Sequence, residues 1–282
     1  MRLLLALAAS TLFAQDMLIS VDKLSGMLND PSVLVLHVGS KADYESGHIP
    51  GARLVSLGDI SITGERGLRL ELPPPEALKG ALLKLGVSDK SKVVIYTAND
   101  SVQSATRVWF TFDYLSLKAS LLDGGLSAWK AAGKSTTTEA PSITPATSLT
   151  IKPRPELVVD AAWVNEHRNG AKVAILDARL PEFYSGANAG QMPRAGHIPG
   201  ARNVPFSTLL DENKKLLSAA TIAKNLGPGD TLVSYCHIGQ QATVLYFAAR
   251  LTGRDVKLYD GSYQDWSART EYPVDAPAAT QK

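Results

Sequence analysis

The heptapeptide Gly-His-Ile-Pro-Gly-Ala-Arg occurs twice in the chain, at Gly47–Arg53 and at Gly196–Arg202. Identity over seven positions marks an internal duplication, and a duplication constrains the fold more than any local propensity does. Further matches follow in the same order. Val93–Tyr96 (VVIY) answers Leu232–Tyr235 (LVSY), Ala105-Thr106 answers Ala242-Thr243, and Trp109-Phe110 answers Tyr246-Phe247. Leu121–Trp129 (LLDGGLSAW) answers Lys257–Trp266 (KLYDGSYQDW). The 282 residues therefore read as two copies of one domain, a length that suits two average domains. The copies span residues 17–134 and 157–272, with a threonine- and proline-rich linker at 135–156 and a tail at 273–282.

Within each copy, short apolar runs alternate with amphipathic stretches. Residues 32–38, 92–97, 173–178 and 231–236 read as strands, and 75–86 and 241–253 as helices. In the second helix Val244, Phe247, Ala248 and Leu251 share a face, and Gly253 supplies a stop. This alternation implies an α/β fold with a largely parallel sheet in each copy. Ligands of such sheets bind beyond the carboxyl ends of the strands.

A net charge of +2 without a lysine or arginine block argues against nucleic acid and against a polybasic membrane surface. A single cysteine excludes an intramolecular disulfide, a cysteine-based zinc site and a Cys-x-x-Cys pair, and neither metal nor cofactor is expected. Residues 1–15 read as a signal peptide: Arg2, an apolar run from Leu3 to Phe13, then small or polar residues. The run is too short to span a bilayer, and no cysteine follows it to carry a lipid anchor. The expected destination is the periplasm or the exterior; a retained N-terminus would leave the protein cytoplasmic.

The duplication supplies its own control. His48 and His197 occur in both copies and are expected to brace the Ile-Pro-Gly turn rather than to act on substrate. Trp129 and Trp266 are expected as core anchors, Trp266 with a possible second role as a wall of the site. The differences point to the second copy. Cys236 is matched by Thr97, and Asp177 and Arg179 are matched by His37 and Gly39. The stretch from Asp177 to His197 covers 20 positions against 11 from His37 to His48, and the added residues include Arg194.

Cys236 begins a loop between a strand and a helix. A nucleophilic cysteine must reach its thiolate, against a free pKa of about 8.5. The amides of His237, Ile238, Gly239, Gln240, Gln241 and Ala242 can turn inward around sulfur, with Gly239 allowing the tight backbone. The following helix N-terminus favours an anion, and His237 can add positive charge if it turns inward. Arg179 and Arg194 are the expected cations for a substrate; Arg179 has the alternative of an ion pair with Asp177.

Two tandem copies carrying Gly-His-Ile-Pro-Gly-Ala, with a Cys-x-x-Gly-x-x-Ala-Thr loop only in the second, resemble the tandem-domain rhodanese-like sulfurtransferases. The resemblance runs from about Leu18 to Tyr272. It implies two rhodanese-like domains, each a parallel five-stranded sheet flanked by helices, the first one inactive. It also implies ping-pong transfer of a sulfane sulfur from thiosulfate or a related donor, through a persulfide on Cys236, to cyanide or a thiol. The loop departs from the family's Cys-Arg-x-Gly-Glu-Arg-Ser pattern, with His237, Gln240 and Gln241 at its charged positions. Phe183 stands where the family commonly places an arginine for the donor's anionic group, which disfavours mercaptopyruvate. The alternative is a persulfide carrier that serves a protein partner without turning over free thiosulfate. A Cys-x5-Arg phosphatase is disfavoured because Ala242 takes the arginine's place. A purely structural cysteine is disfavoured by the glycine-bearing loop.

Overall fold

The computed structural model describes residues 17–276 apart from residues 65 and 100. The signal-peptide expectation at 1–15 and the end of the tail lie outside the described residues. Two units result. One comprises the described residues up to Ser61 together with Leu72–Arg154 and Asp211–Leu216; the other comprises Ile62–Glu71, Pro155–Leu210 and Leu217 onward. Each unit therefore contains a short segment that belongs by sequence to the other repeat.

Each unit is built on a five-stranded, wholly parallel sheet flanked by helices. In the first, β1 (Leu18–Ile19), β2 (Val33–Val38), β3 (Arg53–Val55), β4 (Lys92–Thr97) and β5 (Ala119–Leu122) lie in the order β1-β5-β4-β2-β3. In the second, β6 (Val158–Val159), β7 (Val173–Asp177), β8 (Arg202–Asn203), β9 (Thr231–Tyr235) and β10 (Asp255–Tyr259) repeat that order as β6-β10-β9-β7-β8. The strands expected from sequence are β2, β4, β7 and β9, the middle of each sheet. They are almost continuously apolar because helices cover both faces of a parallel sheet. The expected helices are observed at Pro75–Lys84 and Ala242–Leu251.

The shared heptapeptides do the same work in both units. His48 Nδ1 pairs with the Tyr44 carbonyl at 2.8 Å and its ring stacks on Tyr44; His197 does the same with Tyr184. The Ile49 amide donates to Tyr96 Oη at 3.1 Å, and the Ile198 amide to Tyr235 Oη at 3.2 Å. Both tyrosines are fully buried at the ends of the central strands, so each hydroxyl needs such a partner. The expected scaffold role of both histidines holds. Trp129 and Trp266 are buried in the cores of their units, donating to the carbonyls of Ser135 and Pro273.

The linker is a docked strap. Thr137 bridges His48 antiparallel, the Ala146 amide donates to the Leu83 carbonyl, and those of Lys152 and Arg154 donate to Leu115 and Tyr114. In the second unit Asp275 bridges His197 in the same manner. There the contact is tighter. Gly196 has φ +108, and a Cβ on it would lie 2.2 Å from the Asp275 carbonyl oxygen; Gly47 has φ +139, with no atom nearer than 3.5 Å. An alanine at either glycine adopts a backbone that costs about 1–3 kcal/mol. Gly196→Ala must also push the chain at Asp275 aside. It is therefore expected to destabilise its unit by at least about 1 kcal/mol more than Gly47→Ala, read from paired denaturant titrations. Equal losses would contradict this packing.

Candidate active site

Strand β9 ends at Tyr235, and Cys236 follows it at the centre of the carboxyl edge of the second sheet. Its side chain is buried, with the residue 1% exposed. The chain then turns through residues 237–241 into the helix Ala242–Leu251, and Gly239 takes φ +80 to make that turn. The amides of His237, Ile238 and Gln241 donate to no protein group among the described residues. A loop that leaves backbone donors without protein partners is equipped to receive negative charge.

The amide of Cys236 itself is taken. It donates to Ser262 Oγ at 3.2 Å, and Ser262 Oγ donates onward to the Tyr259 carbonyl at 2.9 Å. The carbonyls of Cys236 and His237 accept from the amides of Tyr263 and Gln264. Cys236 is thus sewn along its backbone to the start of the helix Ser262–Ala268. Ser262 reaches this position only in the left-handed region, at φ +52. Its counterpart in the first repeat is Gly125, at φ +56, where a Cβ would lie 2.6 Å from Thr97 Cγ2. The pair Thr97–Gly125 has become Cys236–Ser262: the smaller residue on the strand side admits the larger one on the helix side.

Other expected site residues are placed differently. Arg179 is 1% exposed and bound to Asp177 through Nε and Nη2, the shortest contact being 2.6 Å. Nη2 also donates to the Gly196 carbonyl at 2.8 Å, and the guanidinium lies 4.0 Å from the Tyr263 ring centroid. Arg194 spends its guanidinium on the carbonyls of Ser267, Tyr272, Trp266 and Arg269. Arg179 makes the ion pair with Asp177 that is its alternative reading, Arg194 is committed to carbonyls, and Trp266 is a core residue without a surface for ligand. The reason is local. Each guanidinium satisfies carbonyls or a carboxylate that burial would leave unpaired.

His237 does not add a positive charge. Burial and the Arg179 guanidinium lower its pKa to about 4, with a smaller push from Arg69. Its ring meets the edge of Phe183 with centroids 4.6 Å apart, and Gly190, at φ +60, packs against both rings. Its Nε2, Gln241 Oε1 and Tyr263 Oη are buried without partners. Buried polar atoms are ordinarily hydrogen-bonded, so each of these is an acceptor or donor left open, in the loop after Cys236 or on the helix Ser262–Ala268. Among the described residues no group of three or more His, Cys, Asp or Glu side chains could hold a metal ion, and no helix is long and apolar enough to cross a membrane.

Sequence reasoning missed Ser262, Tyr263 and the segment Ile62–Glu71. Ser262 carried a readable signal, because the aligned repeats place it against Gly125 where Cys236 stands against Thr97. The segment carried none, since its partners lie far along the chain: Arg66 pairs with Asp265 at 2.6 Å, and Gln264 Oε1 accepts from the Arg69 amide at 3.0 Å.

Two outcomes follow. Ser262→Ala keeps the left-handed backbone and leaves the Cys236 amide unpaired, whereas Ser262→Gly loses the same bond but relieves about 1–2 kcal/mol of backbone strain. Ser262→Ala is therefore expected to be the less stable of the two in urea denaturation; the reverse order would refute the strain. For His237 the folded pKa lies below the unfolded one. The unfolded chain binds the extra proton first, and stability contributed by the neutral ring is present above about pH 6.5 and lost as pH falls toward 4. His237→Asn is expected to flatten the loss of stability between pH 7 and pH 4.5 relative to the parent protein, measured by chemical denaturation at both values.

A model of the rhodanese-like domain matches residues 20–132 and 160–269. The chain is 32% identical over 278 residues to a Pseudomonas aeruginosa protein named "Probable 3-mercaptopyruvate sulfurtransferase", covering 91% of this chain and 97% of that one. It is 30% identical to "Thiosulfate/3-mercaptopyruvate sulfurtransferase 2" of Arabidopsis thaliana, covering 91% of this chain and 85% of the relative. Among solved structures it superposes on the anaerobic ergothioneine biosynthesis enzyme of Chlorobium limicola in complex with trimethyl histidine. The TM-score is 0.83 at 23% identity, covering 93% of this chain and 71% of that one. YnjE gives a TM-score of 0.82 at 23% identity, with coverage of 93% and 68%. Repeated sheet order, matched family model and full-length relatives agree: the chain belongs to the rhodanese-like domain family, as a tandem of two such domains.

Proposed function

We propose that the protein is a sulfurtransferase in which Cys236 carries the sulfur as a persulfide, with thiosulfate or a related sulfane as donor. The observation that supports this reading most is the position of Cys236, whose own amide is held by Ser262 while those of His237, Ile238 and Gln241 remain unpaired. Two full-length relatives carry sulfurtransferase names.

In the first half-reaction the Cys236 thiolate attacks the outer sulfur of thiosulfate. A new S–S bond forms, the donor's S–S bond breaks, and sulfite departs with the electron pair. The terminal sulfur then bears the negative charge, and the unpaired loop amides stabilise it as they would an oxyanion. In the second half-reaction cyanide or a thiolate attacks the terminal sulfur and the Cys236 thiolate is the leaving group. No external oxidant or reductant enters the cycle. Residues 1–15 carry the proposal that the protein is exported.

The second reading, a persulfide carrier for a protein partner, draws on the burial of Cys236 and on the commitment of Arg179 and Arg194 elsewhere. Steady-state thiocyanate formation from thiosulfate and cyanide separates the two. Sustained turnover by the parent protein, lost at least about a thousandfold in a Cys236→Ser variant with an unchanged unfolding transition, is the expected result. A single turnover that stops when Cys236 is loaded would favour the carrier. Turnover retained by Cys236→Ser would refute both.

A further inference from the structure

Sulfite is a dianion, and a site that releases it from thiosulfate must hold the donor's sulfonate without sequestering the product. The arginines of the second unit that pair with Asp177 or with the helix Ser262–Ala268 and the residues after it are spoken for. Arg179 is bound to Asp177 and Arg194 to four carbonyls. Arg66 pairs with Asp265, and Arg269 pairs with Asp265 and Glu271.

Arg69 differs in both respects. Its backbone is fixed: the Gln264 carboxamide accepts from its amide at 3.0 Å and donates to its carbonyl at 2.9 Å. The amide of Gln264 in turn donates to the His237 carbonyl at 2.9 Å, so two linked contacts tie Arg69 to the residue after Cys236. Its guanidinium, by contrast, is exposed and makes no ion pair or hydrogen bond among the described residues. Its positive charge is felt at the His237 ring. A double hydrogen bond from a side-chain amide to one residue's backbone is a costly way to fix a loop whose side chain has no task.

We propose that Arg69 is the anion-holding residue of this site, binding the sulfonate of thiosulfate while Cys236 attacks its outer sulfur. This rests on the sulfur-transfer reading. It assigns to the segment Ile62–Glu71 the cation that the loop around Cys236 lacks, and it accounts for the packing of that segment in the second unit. A guanidinium suits the sulfonate because it offers paired donors and keeps its charge. Exposure tunes the hold, since a solvated pair releases sulfite more readily than a buried one would.

The test separates binding from turnover. Thiosulfate is titrated calorimetrically into Cys236→Ser protein, which cannot form the persulfide, with Arg69 intact or changed to alanine or lysine. Arg69→Ala is expected to weaken binding about tenfold or more, Arg69→Lys to recover part of it, and the dependence on Arg69 to fade at high salt. Unaltered affinity in Arg69→Ala, or no thiosulfate binding with Arg69 present, overturns the inference. Thiocyanate formation by protein with Cys236 intact reports on the other premise. Turnover with an unchanged thiosulfate KM in Arg69→Ala overturns the inference and spares the sulfur-transfer reading. Binding that depends on Arg69 in a protein without turnover supports the anion site and overturns that reading.

Discussion

The site rests on the buried pair of Asp177 and Arg179. Asp177 ends β7, the strand next to the one that Cys236 follows, and Arg179 connects it to the Gly196 carbonyl and to the face of Tyr263. Tyr263 follows Ser262, which holds the Cys236 amide, and its own amide binds the Cys236 carbonyl. One ion pair thus joins the end of the strand, the start of the heptapeptide and the helix that holds the Cys236 backbone. Burying two charges is justified only when their geometry and remaining hydrogen bonds are complete, and losing either partner would leave a charge stranded in the core. The pair's own contribution to stability is modest beside that of an apolar core; its effect is to fix positions.

The first unit shows what the same fold does without this pair. There His37 replaces Asp177 and bonds Tyr96 Oη at 2.7 Å, and burial together with nearby His48 lowers the His37 pKa to about 4. A neutral histidine–tyrosine contact holds the strand ends, Gly39 stands where Arg179 would, and Thr97 with Gly125 fills the space used by Cys236 and Ser262. Sheet order, turn, stacked histidine and core tryptophan are unchanged. Scaffold and candidate site are therefore separable here: the first belongs to the repeat, and the second to a few substitutions within it.

Much of this was legible from the residues. Runs such as VVIY and LVSY become central strands because both their faces are covered, and the paired heptapeptides become paired turns because Pro and positive-φ Gly permit few other paths. Cys236 was identifiable because the duplicate lacks it. The partners of Arg179 and Arg194 were harder to foresee. A guanidinium reads the same in sequence whether it faces substrate or a buried carbonyl, and only packing distinguishes the two. His237 illustrates the same limit: its charge depends on burial and on Arg179, neither of which the loop sequence reveals. The place of Arg69 depends on a contact with Gln264, 195 positions away, and no local pattern encodes it.

The central claim is that Cys236 accepts a sulfur atom. Intact-protein mass spectrometry after brief exposure to stoichiometric thiosulfate, followed by peptide mapping and then by cyanide, tests it most directly. The account predicts a gain of one sulfur atom on the peptide that contains Cys236, removed by cyanide and absent from Cys236→Ser. A parent protein that gains no sulfur from thiosulfate or from polysulfide, or that gains it elsewhere in the chain, would contradict it.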